Sequence, residues 1–139
     1  MEEVRNAIGF ESKFCVKSEG KAGGLCFLWR SGLKADILTH NSNLIGMLVN
    51  SNIQDKPWLL VGFYGSPYVS MKKKVWKQLR NLVSNFDGPW LCLGDFNSIL
   101  SQKEKLGGNA RTSSSYNGLR DFMFECGAID LGFRGSKDT

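Results

Sequence analysis

Two short runs in the sequence carry residue types that can work on a phosphodiester. The first is Gly94-Asp95-Phe96-Asn97, which follows the apolar stretch from Trp90 to Leu93. Strand side chains alternate between faces, so Asp95 and Asn97 are expected on one side while Phe96 turns back to the core. A carboxylate at a strand end can hold a hard metal's water or take a proton from an attacking water. A neighbouring carboxamide can orient that water or a phosphate oxygen. Gly, Asp and Asn are also ordinary turn residues, and the tetrapeptide alone fits a turn. The second run is Phe63-Tyr64-Gly65. A phenol at a strand end can donate a hydrogen bond to a phosphate oxygen as charge develops there. A tyrosine at the edge of a core with a wet hydroxyl is the plainer account of the same residues.

These runs need elements to hold them. Residues 58–64 form a nearly continuous apolar run, as in a strand covered on both faces. Gly65-Ser66-Pro67 ends it. A helix is predicted over residues 70–85, with Ser70 as its N-cap and Trp76, Leu79, Val83 and Phe86 at helical spacing on one face. Asp87-Gly88-Pro89 breaks the chain before a second buried strand over 90–93. Upstream, residues 1–8 read as helix stopped by Gly9. Strands are predicted over 13–18, 25–30, 35–40 and 44–50, with turns at 20–24 and at Asn41-Ser42-Asn43. Downstream, residues 101–112 read as a polar loop and 113–126 as a helix with Tyr116, Leu119, Phe122, Met123 and Cys126 on its apolar face, stopped by Gly127. Residues 128–131 begin one further strand. Buried strands around an amphipathic helix, preceded by hairpin-like strands, give an α/β layered domain with a mixed sheet over the whole chain, residues 1–139.

Composition narrows the classes. At 42% hydrophobic residues the chain is globular rather than disordered. No apolar run approaches the roughly 20 residues that span a bilayer, so no membrane partner is expected. The mixed, acidic start Met1-Glu2-Glu3-Val4-Arg5 is unlike a secretory signal, and an intracellular location is expected. The four cysteines, Cys15, Cys26, Cys92 and Cys126, contain no C-x-x-C pair and lie far from the one histidine, His40, so zinc is not indicated. All four are expected as reduced thiols, Cys26 and Cys92 as small core residues. The net charge of +5 mildly favours a polyanion partner. Lys72-Lys73-Lys74 can touch a nucleic-acid backbone, although such a run is usually a solvated helix face. His40 reads as a half-exposed strand histidine.

Taken together and in order, Gly23-Gly24-Leu25-Cys26-Phe27-Leu28-Trp29, Gly62-Phe63-Tyr64-Gly65-Ser66-Pro67, Trp90 through Asn97, Glu104-Lys105-Leu106-Gly107-Gly108 and Cys126-Gly127-Ala128-Ile129-Asp130-Leu131-Gly132-Phe133 resemble the endonuclease domain of plant LINE-type retroelement proteins, within the endonuclease/exonuclease/phosphatase family. The resemblance covers nearly the whole chain. It implies a four-layer α/β sandwich with mixed sheets, here incomplete, and cleavage of DNA with Mg²⁺ or Mn²⁺. By motif, Tyr64 assists the phosphate, Asp95 orients or deprotonates the attacking water and is the metal ligand, and Asn97 aligns that water. Asn109 and Arg111, in the loop after the Asp95 strand, are placed to contact nucleic acid, although a surface loop with one exposed arginine is the plainer account, and Asp130, at a recurrent family position, reads as structural. The family's metal-binding Glu and its closing "SDH" motif have no match in this chain, which is therefore expected to be truncated at both ends and inactive by itself. Weak, non-specific DNA binding, and a nuclear location if functional, complete the expectation. Two alternatives stand beside it: a non-catalytic, weakly nucleic-acid-binding domain, and a working phosphodiesterase with a rearranged site. The sequence leaves the oligomeric state open.

Overall fold

The computed structural model describes residues 2–17, 24–52, 55–98, 117–132 and 134–135. The expected turn at 20–24 lies largely outside these residues. So do the loop at 101–112, with Asn109 and Arg111, and the expected start of the last helix at 113–116.

Helix α1 (Glu2–Ile8) ends at Gly9, whose φ of +72° is the left-handed stop expected of a glycine. Strands β1 (Ser12–Val16) and β2 (Leu25–Trp29) pair antiparallel as a two-stranded sheet. Their register sets Cys15 opposite Cys26, and the two are joined as a disulfide. This corrects the expectation of free thiols there: directly opposed positions of an antiparallel pair bring Cβ atoms close enough to bridge. Cys92 and Cys126 are free.

Strands β3 (Lys34–His40), β4 (Leu44–Asn50), β5 (Trp58–Tyr64) and β6 (Trp90–Asp95) form a four-stranded sheet in that order. β3 pairs with β4 and β4 with β5 antiparallel, and β5 pairs with β6 in parallel. The parallel pair is joined by helix α2 (Val69–Ser84), and helix α3 (Gly118–Cys126) packs beside it. The sheet is therefore mixed, as the apolar patterning predicts.

Period-two alternation divides β5 between two layers. Leu59, Val61 and Phe63 lie with Val75, Trp76, Leu79, Val83 and Phe122 in one buried cluster under the helices. Gly62 lies on the opposite face, beneath the Phe27 ring of the two-stranded sheet, and a Cβ there would come within 2.8 Å of that ring. On the same face of β4, Ile45, Met47 and Val49 are fully buried. The sheet is thus covered by helices on one side and by the β1–β2 hairpin on the other.

Three local expectations are corrected. Ser70 lies inside α2, whose N-cap is Tyr68 without a side-chain bond. Ser66, buried just upstream, instead accepts the Tyr68 N–H at 3.2 Å. The strand at 90–93 runs on to Asp95 and is not buried on both faces: it is the sheet's last strand, and Leu93 is 45% exposed. Residues 128–131 form no strand, because no strand edge among the described residues pairs with them, and Ile129 and Leu131 stand in solvent.

Candidate active-site rim

The carboxyl ends of β5 and β6 lie side by side. Tyr64 and Asp95 are register partners, so in a parallel pair both side chains project from the same face, the one turned toward the β1–β2 sheet. The pairing continues past the strands: the Gly65 N–H donates to the Asp95 carbonyl at 2.7 Å. Phe96 turns to the helix side, where its ring lies 5.7 Å from Phe63 and 6.1 Å from Trp76. That anchor fixes the tetrapeptide to the core and leaves Asp95 exposed.

The tetrapeptide is also a turn. The Asn97 N–H donates to Asp95 Oδ1 at 3.0 Å, and Asn97 adopts φ +46°, a left-handed conformation that Asn tolerates well. The turn and the candidate site are therefore one structure here. Asp95 keeps its second carboxylate oxygen for a water, a proton or an ion. The Asn97 side-chain NH₂ donates to the Gly65 carbonyl, which leaves its oxygen as an acceptor for a water O–H.

Two motif glycines make this closeness possible. A Cβ on Gly65 would lie 1.9 Å from the Phe96 carbonyl oxygen, and one on Gly94, at φ +141°, would lie 1.9 Å from that of Phe63. Neither position can hold a side chain without parting β5 from β6.

Sequence reasoning missed Asn43, which it treated only as a turn residue. Asn43 grips the Tyr64 backbone from the β4 side, with Nδ2 donating to the Tyr64 carbonyl at 3.0 Å and its own carbonyl accepting the Tyr64 N–H at 2.8 Å. Asn41 Oδ1 holds that turn by accepting from the Asn43 and Leu44 N–H groups at 2.8 and 3.0 Å. Nothing in a polar Asn-Ser-Asn turn distinguishes this clamp from ordinary turn chemistry. Beyond the rim, Ser98 donates to Asn117 Oδ1, the same oxygen that caps α3 through the Arg120 N–H, each at 3.1 Å.

The remaining candidates lie apart from this rim. His40 shares a face and a sheet end with Tyr64, but β4 and β5 intervene between its strand and β6. Three strand spacings, about 14 Å, separate it from the Asp95 strand. Its ring packs edge-on against Phe14 at 5.0 Å. Asp130 closes a small turn by accepting the Gly132 N–H at 2.9 Å. Lys73 and Lys74 are exposed on the first turns of α2. Cys92, under α3, has its thiol pushed up to about 12 by burial, which leaves it protonated and unreactive.

Among the described residues no group of three or more His, Cys, Asp or Glu can hold a metal ion, and no helix is long and apolar enough to cross a membrane. Asp95 offers a single carboxylate, one oxygen of which already accepts the Asn97 N–H. Mg²⁺ needs octahedral oxygen ligation and is usually held by carboxylates together with substrate phosphates. The described residues alone do not fit such an ion.

A model of the Endonuclease/Exonuclease/phosphatase family matches residues 4–135, nearly the full chain. No curated protein matches it.

Proposed function

The chain belongs to the endonuclease/exonuclease/phosphatase family, and from that premise we propose that it is the rim-bearing part of a metal-dependent DNA endonuclease domain from a plant LINE-type retroelement, one that engages a DNA phosphodiester but does not cleave it unaided. Membership makes it a domain of nuclease or phosphatase type, in a family that generally depends on a divalent metal. The observation that supports the rim chemistry in this reading is the register pairing of Tyr64 with Asp95 at the end of the parallel strands, and the retroelement origin rests on the motif resemblance alone.

In this reading the Tyr64 hydroxyl donates to a non-bridging phosphate oxygen. The free Asp95 oxygen accepts a proton of a water on the phosphorus side. Asn97, pinned through its NH₂, accepts that water's other O–H and so limits its orientation. The ion we propose is Mg²⁺ or Mn²⁺, with Asp95 as its ligand, held weakly because the described residues supply one carboxylate. No step is routed through it. The positive net charge supports a weak, sequence-indifferent contact with DNA.

Inactivity follows from how such sites work. Unaided phosphodiester hydrolysis is very slow, and the members of a catalytic unit lose most of their effect when one is missing. Among the described residues, the phenol, carboxylate and carboxamide at the rim have no general acid beside them for the leaving oxygen. The test is nicking of supercoiled plasmid by the purified chain in Mg²⁺ and in Mn²⁺, beside an Asp95→Ala protein. No nicking above the Asp95→Ala background is expected. Metal-dependent nicking that disappears in Asp95→Ala would establish a working phosphodiesterase instead.

A further inference from the structure

On the helix side of the same sheet, the β3–β4 turn and α2 enclose a groove of about 410 Å³. Its rim carries four carboxamides, Asn41, Gln78, Asn81 and Asn85, over a floor that includes Leu82 and Phe86. Among the described residues no charged side chain lines it. A carboxamide presents two donors and an acceptor side by side, so four of them match an uncharged ligand with hydrogen-bonding edges rather than an ion. The Asn41 oxygen is taken by two backbone N–H groups of its own turn, so Asn41 offers the groove its NH₂ as a donor. Phe86 adds an aromatic side chain to the floor, suited to a flat ligand face.

The surroundings of the groove carry charge that its lining lacks. Helix α2 contains Lys72, Lys73, Lys74, Lys77 and Arg80 and no acidic residue. Arg80 is engaged with Glu125 at 3.3 Å. Lys74, Lys77, Asn81 and Asn85 follow one another at spacings of three, four and four, so they lie along a single stripe of the helix. Lys74 and Lys77 are exposed at the N-terminal part of that stripe, and the carboxamides occupy its C-terminal part. A neutral, flat, hydrogen-bonding group next to a source of negative charge is the chemistry of a nucleobase on its phosphodiester chain.

We propose that this groove binds an unstacked nucleobase of single-stranded nucleic acid, with Lys74 and Lys77 on the adjoining phosphates. Asn and Gln side chains pair bidentately with the N6 and N7 edge of adenine, which makes adenine the base of choice. Stacking on an aromatic ring adds to it for any base. The groove lies on the opposite face of the sheet from Tyr64 and Asp95, so it is a second contact for a strand, independent of the hydrolytic rim.

The test measures binding of labelled oligo(dA) of about twelve nucleotides in EDTA, where no hydrolysis intervenes, so its failure leaves the reading of Tyr64 and Asp95 untouched. Gln78→Leu/Asn81→Leu should weaken binding at least about five-fold, and an abasic oligomer of equal length should bind the wild type as weakly. Lys74→Ala/Lys77→Ala should lower the slope of log K against log salt by about one to one and a half. In a ¹⁵N spectrum, adenosine alone should move the side-chain amides of Gln78, Asn81 and Asn85. Equal affinity for the abasic oligomer, wild-type affinity in the Leu variant, or unmoved amide signals would each overturn the proposal.

Discussion

Tyr64 and Asp95 stand opposite each other across a parallel strand pair, and one residue later the Gly65 N–H still reaches the Asp95 carbonyl at 2.7 Å. The pairing therefore outlasts both strands and carries the two side chains to the end of the sheet together. Parallel strands diverge unless their ends are tied. Here the ties are backbone to backbone, reinforced by the Asn97 side chain on the Gly65 carbonyl.

The first prediction concerns Gly65 and Gly94. A Cβ at either place meets a carbonyl oxygen across the pair at 1.9 Å, that of Phe96 just past β6 for Gly65 and that of Phe63 in β5 for Gly94, where the φ of +141° adds backbone strain. Gly94→Ala should destabilise the fold by about 3 kcal/mol, and Gly65→Ala by a similar amount. Gly32→Ala is the control, since a Cβ there meets nothing within 4 Å. Urea unfolding of the three proteins gives the comparison. A loss below about 1 kcal/mol at both motif glycines would mean that the strands are not held this close.

Asn43 supports the second prediction. Its side chain holds the Tyr64 carbonyl from the β4 side. Asn43→Ala should cost about 1–2 kcal/mol through one lost bond to a half-buried carbonyl. Asn43→Asp should cost more at neutral pH, because a carboxylate cannot donate to that oxygen. The amide proton of Tyr64, bonded to the Asn43 carbonyl, should exchange faster in both variants. Unchanged exchange would remove Asn43 from the rim's support.

These two positions show what the sequence made legible. The apolar runs of β5 and β6 and the 3.6-residue face of α2 came through because burial is periodic, and they carried Tyr64, Asp95 and Phe96 with them. Asn43 was hidden because its partners are backbone atoms 21 residues away, and a turn asparagine looks the same with or without them. The Cys15–Cys26 bridge was hidden for a related reason. It depends on the register of β1 against β2, which no spacing rule supplies. The segment 128–131 misled because apolar alternation alone does not make a strand: β6 is the sheet's last strand, and the segment does not pair with it.

Cys92 gives a pH prediction. Burial raises its thiol from 9.0 to about 12, while the unfolded chain titrates near the ordinary value. A raised folded value means that stability is fully present below the unfolded pKa and is lost as pH rises toward the folded one. Stability should be unaffected by this group below pH 9 and decline between 9 and 12, by at most about 1.4 kcal/mol per pH unit. Cys92→Val should flatten that part of the profile relative to wild type. Parallel profiles for the two proteins in urea melts at pH 8 and pH 10.5 would show that Cys92 is not the group responsible.

The last prediction concerns the metal. Family membership implies a divalent ion, yet Asp95 is one carboxylate with one oxygen already bonded to the Asn97 N–H. Magnesium gives up its waters reluctantly, so a single oxygen ligand does not hold it without a substrate phosphate alongside. Binding that favours the folded state raises stability by RT ln(1 + [L]/Kd). With a Kd of about 10 mM or weaker, 5 mM Mg²⁺ adds less than about 0.3 kcal/mol, too little to move the melting temperature by more than about two degrees. EDTA should likewise leave it unchanged. Mn²⁺ should behave in the same way, and its electron-spin resonance signal should remain that of the free ion when protein is added. An oligonucleotide that brings a phosphate to the rim should then reduce that signal, and should do so less in the Asp95→Ala protein. A rise of several degrees in Mg²⁺ without DNA, abolished by Asp95→Ala, would show that further ligands complete the site.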